Sequence, residues 1–456
     1  MSRCVVVGAG ITGLTAAYAW HREHPGDEVV VLEAGDRVGG KLGRVQLSGT
    51  WYDTGAEAVL ARVPHAVDLM AELGLTQLAP RTTSASVVLP SGRHPLPAGT
   101  LLGVPTSADG LDGLLSPDGV ERVRAEASLP PLRFTTDRTV GDLLRERLGD
   151  EVVDRLVEPL LGGVYAGQAD RLSVTATMPA LAAQLPHHGT VLAAAAAARD
   201  AGARSREAAA GTPDGPVFVT LPGGVGSLPD TLAAALPPGS VRLRTPAHTL
   251  SRTAGGLELT VGAGHEPLTA DAVVLTAPAG KAARLLAEVA PGAVEPLQGI
   301  PYASMAVVAM AFRGQPLAPG SGLLVPPVTG RLVKGVTISS QKWPHLDGDG
   351  LLRVRSSVGR YLEEDQLQRP DDELVAAVVA DVVDLLALTD PEPVETRLVR
   401  WGGGLPQYLV GHVERVAAVR AAVAEVPGLV VAGAAYDGVG VPACIASARR
   451  AVATLT

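Results

Sequence analysis

A glycine-rich segment near the amino terminus, residues 8–13 with the sequence GAGITG, limits more than any other feature what this chain can fold into. A β-branched run at 4–7 precedes it, and a helical stretch at 14–24 follows it. A second β-rich run at 28–32 then ends at Glu33. This order predicts a βαβ unit on a parallel sheet, because buried parallel strands are short apolar runs joined through a crossover helix.

The three glycines of this segment have the spacing of a dinucleotide-binding turn. Gly8 permits the tight turn, Gly10 lets the backbone approach a pyrophosphate, and Gly13 allows the helix to pack closely on the strand. The helix N-terminus offers N–H groups to the anion, and Glu33 is placed to accept a hydrogen bond from a ribose hydroxyl. Because a carboxylate disfavours a 2′-phosphate, we expect FAD or NAD rather than NADP. A glycine turn that serves packing alone is the alternative.

The residues after Glu33 favour FAD. Arg37, Gly39, Gly40 and Lys41 continue a Glu-Ala-x-x-Arg-x-Gly-Gly pattern that resembles the extended FAD signature of flavin amine oxidases and their relatives. In those proteins the second glycine pair brings the backbone close to the diphosphate and the flavin. A glycine hairpin without a ligand is the alternative interpretation.

The order of strand and helix patterns predicts an α/β (α+β multidomain) fold. It combines a Rossmann-like FAD-binding domain with a mixed-sheet substrate domain and a helical insertion. We expect the FAD-binding domain to be discontinuous, because strand and glycine-loop patterns return late in the chain. The predicted parts are FAD-binding 1–80, the mostly helical insertion 81–211, FAD-binding 212–290, the substrate-binding sheet domain 291–400 and FAD-binding 401–456.

Two further glycine-rich loops precede helices. Residues 222–227 (PGGVGS) could bind a second phosphate, although a simple turn is the favoured interpretation. Residues 433–442 lie between a strand and the last helix, and their helix N-terminus would stabilise negative charge on a reduced flavin. Packing alone explains this second loop equally well.

Composition excludes several classes of protein. The chain has 456 residues, 46% hydrophobic and 19% charged, with a net charge of −9, which argues against intrinsic disorder and nucleic-acid binding. The two cysteines, Cys4 and Cys444, cannot form a disulfide framework and suit a reducing compartment. No apolar stretch reaches the 18 residues of a membrane span. We therefore expect a cytoplasmic protein, with peripheral membrane contact left open.

Motifs of hydrolytic and metal chemistry are absent from the sequence. It contains no HExxH, CxxC or GxSxG pattern, and the adjacent His187 and His188 point to different faces of any regular element. We expect no metal site. The remaining chemistry is that of a redox cofactor which the protein positions.

Segments along nearly the whole chain together resemble the protoporphyrinogen/coproporphyrinogen oxidase family. Amine oxidases and carotenoid desaturases share the first and last of these segments but not the Gly-Val-Tyr-Ala-Gly run. The matching segments are 5–41, 141–154 (GDLLRERLGDEVVD), 158–167 (EPLLGGVYAG), 172–173, 221–224 (LPGG), 401–402, 405–408 (LPQY), 411–412 and 438–445 (GVGVPACI).

The resemblance implies one noncovalent FAD, repeated two-electron oxidations of a porphyrinogen, and reoxidation by molecular oxygen with hydrogen peroxide release. It carries over no catalytic proton-transfer residue, so the catalytic residues stay unknown. Ala448 stands where the family usually has glycine, and Ala247 where it usually has valine. The cofactor contacts implied are Gly8, Ala9, Gly10, Ile11, Thr12, Gly13, Glu33, Ala34, Lys41, Gly55, Ala56, Glu57, Ala58, Trp401, Val439, Gly440 and Val441, with Ala247 contacting adenine through its main chain.

The substrate implied is a ring with anionic propionates, for which arginine is the suitable partner. Arg62, Arg93 and Arg171 are candidates by proximity to the matching segments, with a solvated surface role as the alternative. Only 4 of the 38 basic residues are lysines, which together with the many alanines and glycines indicates a GC-rich bacterial genome.

Soluble family members from high-GC Gram-positive bacteria typically act in the coproporphyrin-dependent haem route. The favoured substrate is therefore coproporphyrinogen III, with a transient iron-inserting enzyme as a further expected partner. Protoporphyrinogen IX oxidation is the first alternative. A flavin amine oxidase and a non-catalytic flavin- or porphyrin-binding protein are the others, and the 14 aromatic residues supply little material for an amine oxidase's aromatic cage.

Overall fold

The computed structural model describes residues 2–210 and 215–455, which form 21 strands and 16 α-helices. Most of the predicted elements are present, with bounds that differ by a few residues at their ends. The strands are β1 (Arg3–Val7), β2 (Glu28–Leu32), β3 (Arg44–Leu47), β4 (Thr50–Asp53), β5 (Val59–Leu60), β6 (Ala85–Leu89), β7 (Gly92–Pro95), β8 (Thr100–Leu101), β9 (Val104–Pro105), β10 (Phe218–Val219), β11 (Val241–Arg242), β12 (Ala247–Thr253), β13 (Gly256–Val261), β14 (Glu266–Ala270), β15 (Ala272–Leu275), β16 (Tyr302–Arg313), β17 (Gly322–Leu324), β18 (Gly335–Ile338), β19 (Leu351–Val358), β20 (Glu395–Pro406) and β21 (Leu429–Val431).

The helices are concentrated in the middle third of the chain and between the strands of the first sheet. Among the described residues, no helix is long and apolar enough to cross a bilayer. The helices are α1 (Ile11–Glu23), α2 (Pro64–Glu72), α3 (Pro117–Arg124), α4 (Val140–Leu148), α5 (Asp150–Val152), α6 (Glu158–Tyr165), α7 (Val174–Thr177), α8 (Pro179–Gln184), α9 (Val191–Ala210), α10 (Leu228–Ala234), α11 (Ala279–Leu286), α12 (Val294–Gln298), α13 (Ser339–Lys342), α14 (Asp371–Leu386), α15 (His412–Ala424) and α16 (Val441–Ala453).

The nucleotide-binding half is built on a five-stranded parallel sheet in the order β11-β2-β1-β15-β21. Both faces of β1 are covered. Cys4 and Val6 share a core with α1 and α16, while Val5 and Val7 share another with α11, α15 and the β12-β13-β14 meander. The predicted α/β class with a Rossmann-like domain is confirmed.

A second, seven-stranded sheet has the order β20-β16-β19-β18-β17-β6-β7. It is mixed, because β6 and β17 are parallel and the other neighbours are antiparallel. One face is covered by α14 through Leu374, Val378 and Val382. This arrangement matches the predicted mixed-sheet unit.

The predicted domain boundaries cut through this sheet at two places. β20 continues across position 401 with a shift of register after Trp401, and β6 and β7 fall inside the segment 81–211, for which the sequence predicts mostly helix. The three glycines at 402–404 do not end β20, since its long antiparallel pairing with β16 continues to Pro406. The boundary at 211 and 212 lies outside the described residues.

The helical insertion itself extends from α3 to α9 and has its own apolar core. A buried carboxylate caps the N-terminus of α9. Glu126 accepts the N–H groups of Val191 at 2.5 Å and Leu192 at 3.0 Å. Arg147 Nε lies 3.2 Å from the same carboxylate and neutralises it. The alanine-rich run is therefore a helix whose first amides are satisfied by a side chain.

Candidate functional site

Two helix N-termini meet at the carboxyl edge of the parallel sheet. α1 follows β1 and α16 follows β21, the two helices pack against each other, and Ile11, Val441 and Ile445 belong to one apolar core. Each N-terminus presents N–H groups and a partial positive charge, so their meeting point attracts an anion. In open α/β sheets, ligands bind at this edge.

The glycine turn has the geometry that the sequence predicts. Gly8 has a φ of +107°, and an ideal Cβ at Gly13 would lie 1.9 Å from the Gly8 carbonyl oxygen. A Cβ at Gly10, by contrast, would meet no protein atom within 4 Å, and one at Gly440 would lie 3.8 Å from Pro442 Cδ, an ordinary van der Waals contact. Gly8 and Gly13 thus serve the turn and its packing, while Gly10 leaves the backbone open to a ligand.

Glu33 connects the turn to the neighbouring strands. Its carboxylate accepts the N–H of Ala9 at 2.9 Å and that of Gly35 at 2.7 Å, which leaves further lone pairs for a ribose hydroxyl. The N–H of Thr245 donates to the Glu33 carbonyl at 2.8 Å, and Ala247 begins β12 two residues later. The predicted contacts Glu33 and Ala247 therefore lie on two neighbouring segments that a backbone hydrogen bond joins.

The second glycine pair lies directly on the first turn. Gly39 N–H donates to the Ala9 carbonyl at 2.8 Å, and a Cβ at Gly40 would lie 3.3 Å from Gly10 Cα. Lys41 follows, with its Nζ 5.1 Å from the centre of the Tyr302 ring. Burial lowers the pKa of Lys41 to about 8, so it is still mostly protonated at neutral pH and suits an anionic partner.

The segment 53–58 forms another wall. A Cβ at Gly55 would lie 2.1 Å from the Lys41 carbonyl oxygen, so only glycine fits there. Trp401 Nε1 donates to the Thr54 carbonyl at 3.0 Å, and a Cβ at Gly43 would lie 2.8 Å from the Trp401 ring. The structure therefore brings the predicted residues 55–58 and Trp401 together.

Glu57 directs its side chain into the protein. Its buried carboxylate lies 2.6 Å from Lys342 Nζ and 3.3 Å from Arg355 Nε. Although burial raises the pKa of Glu57, the two cations lower it below its usual value overall. The carboxylate thus joins the 53–58 segment to the second sheet, and a cofactor contact at this position would fall to its main chain.

The glycine loop at 222–227 has an internal partner. Asp53 accepts the N–H groups of Val225 at 2.8 Å and Gly226 at 2.9 Å. These are the amides that a phosphate would need, so the simple-turn interpretation fits the structure. Burial raises the pKa of Asp53 to about 6 in spite of the two amides and nearby Arg355.

The raised pKa of Asp53 predicts a specific pH dependence of stability. Because the folded state holds this proton more tightly than the unfolded state, wild-type stability falls as pH rises from about 4 to about 6. We expect Asp53→Asn to remove this component, which amounts to roughly 2–3 kcal/mol. Urea unfolding of both proteins at pH 4 and pH 7 measures it, and parallel pH profiles would contradict the prediction.

The family-specific segments contact one another. Gln407 Nε2 donates to the Tyr165 carbonyl at 2.7 Å, and Ser173 N–H donates to the Tyr408 carbonyl at 2.8 Å. A Cβ at Gly167 would lie 2.6 Å from Gln407 Oε1. The segments 158–167 and 405–408, distant in sequence, therefore form one packed unit.

The structure also shows a buried ion pair that the sequence did not reveal. Arg360 Nη1 donates to Glu158 at 2.9 Å, and Tyr361 N–H donates to the Ala166 carbonyl at 2.7 Å. Ala166 has a left-handed φ of +48°. In the sequence, Glu158 is noticeable only as part of the segment 158–167, because its partner Arg360 lies about two hundred residues away.

The three candidate substrate arginines are exposed and lie in three separate parts of the chain, Arg93 in β7 and the other two in turns. Arg93 donates to the Leu385 carbonyl at the end of α14, and Arg171 Nε donates to Gln168 at 3.3 Å. Arg62 follows β5. The role of these arginines toward a substrate stays a prediction. Separately, among the described residues no group of three metal-ligating side chains is present.

Known proteins resemble this chain in both sequence and structure. The sequence matches the family described as flavin containing amine oxidoreductase over residues 11–456. The chain belongs to this family. Its cofactor is accordingly a flavin, and the open backbone at Gly10, the acid Glu33 and the two helix N-termini fit FAD.

Relatives and solved structures cover the whole chain. It is 40% identical to coproporphyrinogen III oxidase of Mycobacterium leprae over 99% of this chain and 97% of that protein, and 32% identical to that of Bacillus subtilis over 98% and 96%. A crystal structure from Exiguobacterium sp. 255-15, provisionally named as a protoporphyrinogen oxidase, superposes with a TM-score of 0.85 at 34% identity and covers 100% and 98%. Cyclohexylamine oxidase of Brevibacterium oxydans, with a TM-score of 0.74, 17% identity and coverage of 100% and 98%, shares the fold.

Proposed function

We propose that this protein is an FAD-dependent oxidase that converts coproporphyrinogen III to coproporphyrin III in haem biosynthesis. The observation that carries the proposal is full-length similarity, at 40% identity, to a protein of that name. The contact between the segments 158–167 and 405–408 supports it, because these segments distinguish the porphyrinogen oxidases from the amine oxidases. Molecular oxygen is the proposed final acceptor, with hydrogen peroxide as its product.

FAD, when bound, supplies the acceptor for a hydride. The protein's own contribution is binding, orientation and exclusion of water. The N-termini of α1 and α16 and the Lys41 ammonium offset the negative charge of the diphosphate, and Glu33 fixes the ribose. Trp401, held by the Thr54 carbonyl, limits the movement of the 53–58 segment.

For hydride loss to the flavin, the substrate needs little more from the protein than alignment. The meso carbons of a porphyrinogen are saturated, and the pyrroles beside them stabilise the positive charge that develops when a hydride leaves. We propose that the protein holds one meso carbon toward the flavin and that the propionates bind to arginines, for which Arg62, Arg93 and Arg171 remain candidates.

Protoporphyrinogen IX is the second candidate substrate. It is favoured by the Exiguobacterium structure and by a chloroplast relative from Arabidopsis thaliana that carries that name at 27% identity. Coproporphyrinogen has four propionates and protoporphyrinogen two, so the difference between them lies in how many cations the site provides.

Anaerobic mixing distinguishes the candidates. We expect coproporphyrinogen III to bleach the flavin absorption band within a single turnover, and protoporphyrinogen IX to do so more slowly. An aliphatic amine serves as the control and should leave the band unchanged. If neither porphyrinogen bleaches the flavin, the proposed function is wrong, and bleaching by the amine alone would identify an amine oxidase.

A further inference from the structure

One carboxylate holds the loop that joins β21 to α16. The Asp437 side chain is only 12% exposed, and Arg420 Nη2 donates to both of its oxygens at 2.7 Å. Arg450 Nη2 lies 2.9 Å from the same carboxylate. Because Arg420 belongs to α15 and Arg450 to α16, Asp437 connects the loop to both helices.

Ser447 extends this network to the beginning of the loop. Its hydroxyl donates to Asp437 and accepts the N–H of Gly433 at 2.9 Å. A Cβ at Gly433, whose φ is +122°, would lie 3.3 Å from Thr12 Oγ1. The start of the loop therefore lies against α1, immediately after the glycine turn.

The carboxylate is ionised at neutral pH. Burial raises the pKa of Asp437, but the hydrogen bonds from Arg420 and Ser447 and the charges of Arg420 and Arg450 lower it below its usual value overall. Both guanidinium groups are about half exposed, so these ion pairs contribute little to global stability. Their main effect is local, on the path of the loop.

We propose that Asp437 is a positioning residue for FAD: it fixes the loop so that Val439, Gly440 and the start of α16 face the cofactor. Gly440 is the N-cap residue of α16, which begins directly after it. The proposal rests on the FAD site described above and is independent of which porphyrinogen is the substrate. A loop that could move would have to be ordered at each binding event, which weakens affinity.

The test measures FAD binding by the apoprotein, with flavin fluorescence as the readout. Thermal unfolding with and without FAD is the second measurement. We expect Asp437→Asn to raise the Kd for FAD by roughly tenfold, the lower end of what partners behind a direct ligand contribute in metal sites. The melting temperature of the apoprotein should change little, while its increase on adding FAD should shrink. A residue with a purely structural role would lower both melting temperatures equally.

Asp381→Asn is the matched control. Like Asp437, Asp381 pairs with an arginine and accepts further hydrogen bonds, here from two backbone N–H groups, but it lies on α14, which packs on the second sheet. We expect its Kd for FAD to equal that of the wild type. Should Asp437→Asn fail to fold, Ser447→Ala removes only the hydroxyl of the network and should still raise the Kd several-fold.

An unchanged Kd in Asp437→Asn, or in Ser447→Ala if that is the variant measured, overturns the proposal. An equal loss of melting temperature with and without FAD does so too. A wild-type protein that binds FAD but does not oxidise a porphyrinogen removes the proposed function and leaves this proposal standing.

Discussion

Gly10→Ala should fold like the wild type and yet bind FAD about a hundredfold more weakly. An added Cβ at this position meets no protein atom within 4 Å, and the backbone there is not in the left-handed region. The methyl group therefore costs the apoprotein almost nothing. It occupies instead the space through which the backbone approaches the diphosphate, and no flexible side chain is present there to yield.

Gly13→Ala should also lose FAD binding, but because the added methyl group clashes with the protein itself rather than with the cofactor. Its Cβ would lie 1.9 Å from the Gly8 carbonyl oxygen and 2.8 Å from Thr276 Oγ1, so α1 must move away from β1. Such overpacking costs about 1–3 kcal/mol or more, and we expect a lower melting temperature of the apoprotein together with loss of FAD. Gly26→Ala, in an exposed turn with open space, is the control.

Equilibrium binding of FAD and urea unfolding of the three apoproteins separate these effects. The prediction is that Gly10→Ala changes only the Kd, Gly13→Ala changes both quantities, and Gly26→Ala changes neither. A Gly10→Ala protein with wild-type affinity for FAD would show that the cofactor does not approach this turn.

The glycine turn could be predicted from sequence because its chemistry is local. Gly8, Gly10, Gly13 and Glu33 lie within one βαβ unit, and the turn, the helix start and the acid each follow from short-range rules. The structure confirms the unit and adds the partners of Glu33, which are backbone amides of Ala9 and Gly35.

Features that depend on distant partners could not be predicted in this way. The Glu57 carboxylate is directed away from the turn by Lys342 and Arg355, nearly three hundred residues later. The strands β6 and β7 are short, so their pattern is weak, and the pairing of β6 with β17 makes them part of the second sheet. Side-chain contacts that cross domains leave no periodic pattern in one sequence.

Of the substitutions outside the glycine turn, Arg360→Met should lower the stability of the protein most. Glu158 is the first residue of α6 and has 12% of its side chain exposed, and the Arg360 side chain is 7% exposed. Removing the cation leaves a buried charge without its partner, which costs about 3–5 kcal/mol at neutral pH.

The loss should depend on pH in a direction that identifies its cause. Burial already raises the pKa of Glu158, and without Arg360 it rises further. A carboxyl whose pKa is raised by folding destabilises the folded state as pH increases through that value, so the deficit of Arg360→Met should be largest at pH 7 and smaller at pH 4. Glu158→Gln combined with Arg360→Met removes the buried charge and should be more stable at pH 7 than Arg360→Met alone, with little pH dependence. Urea unfolding of the wild type and both variants at the two pH values measures this, and a deficit equal at both would show that lost packing, not an unpaired charge, is responsible.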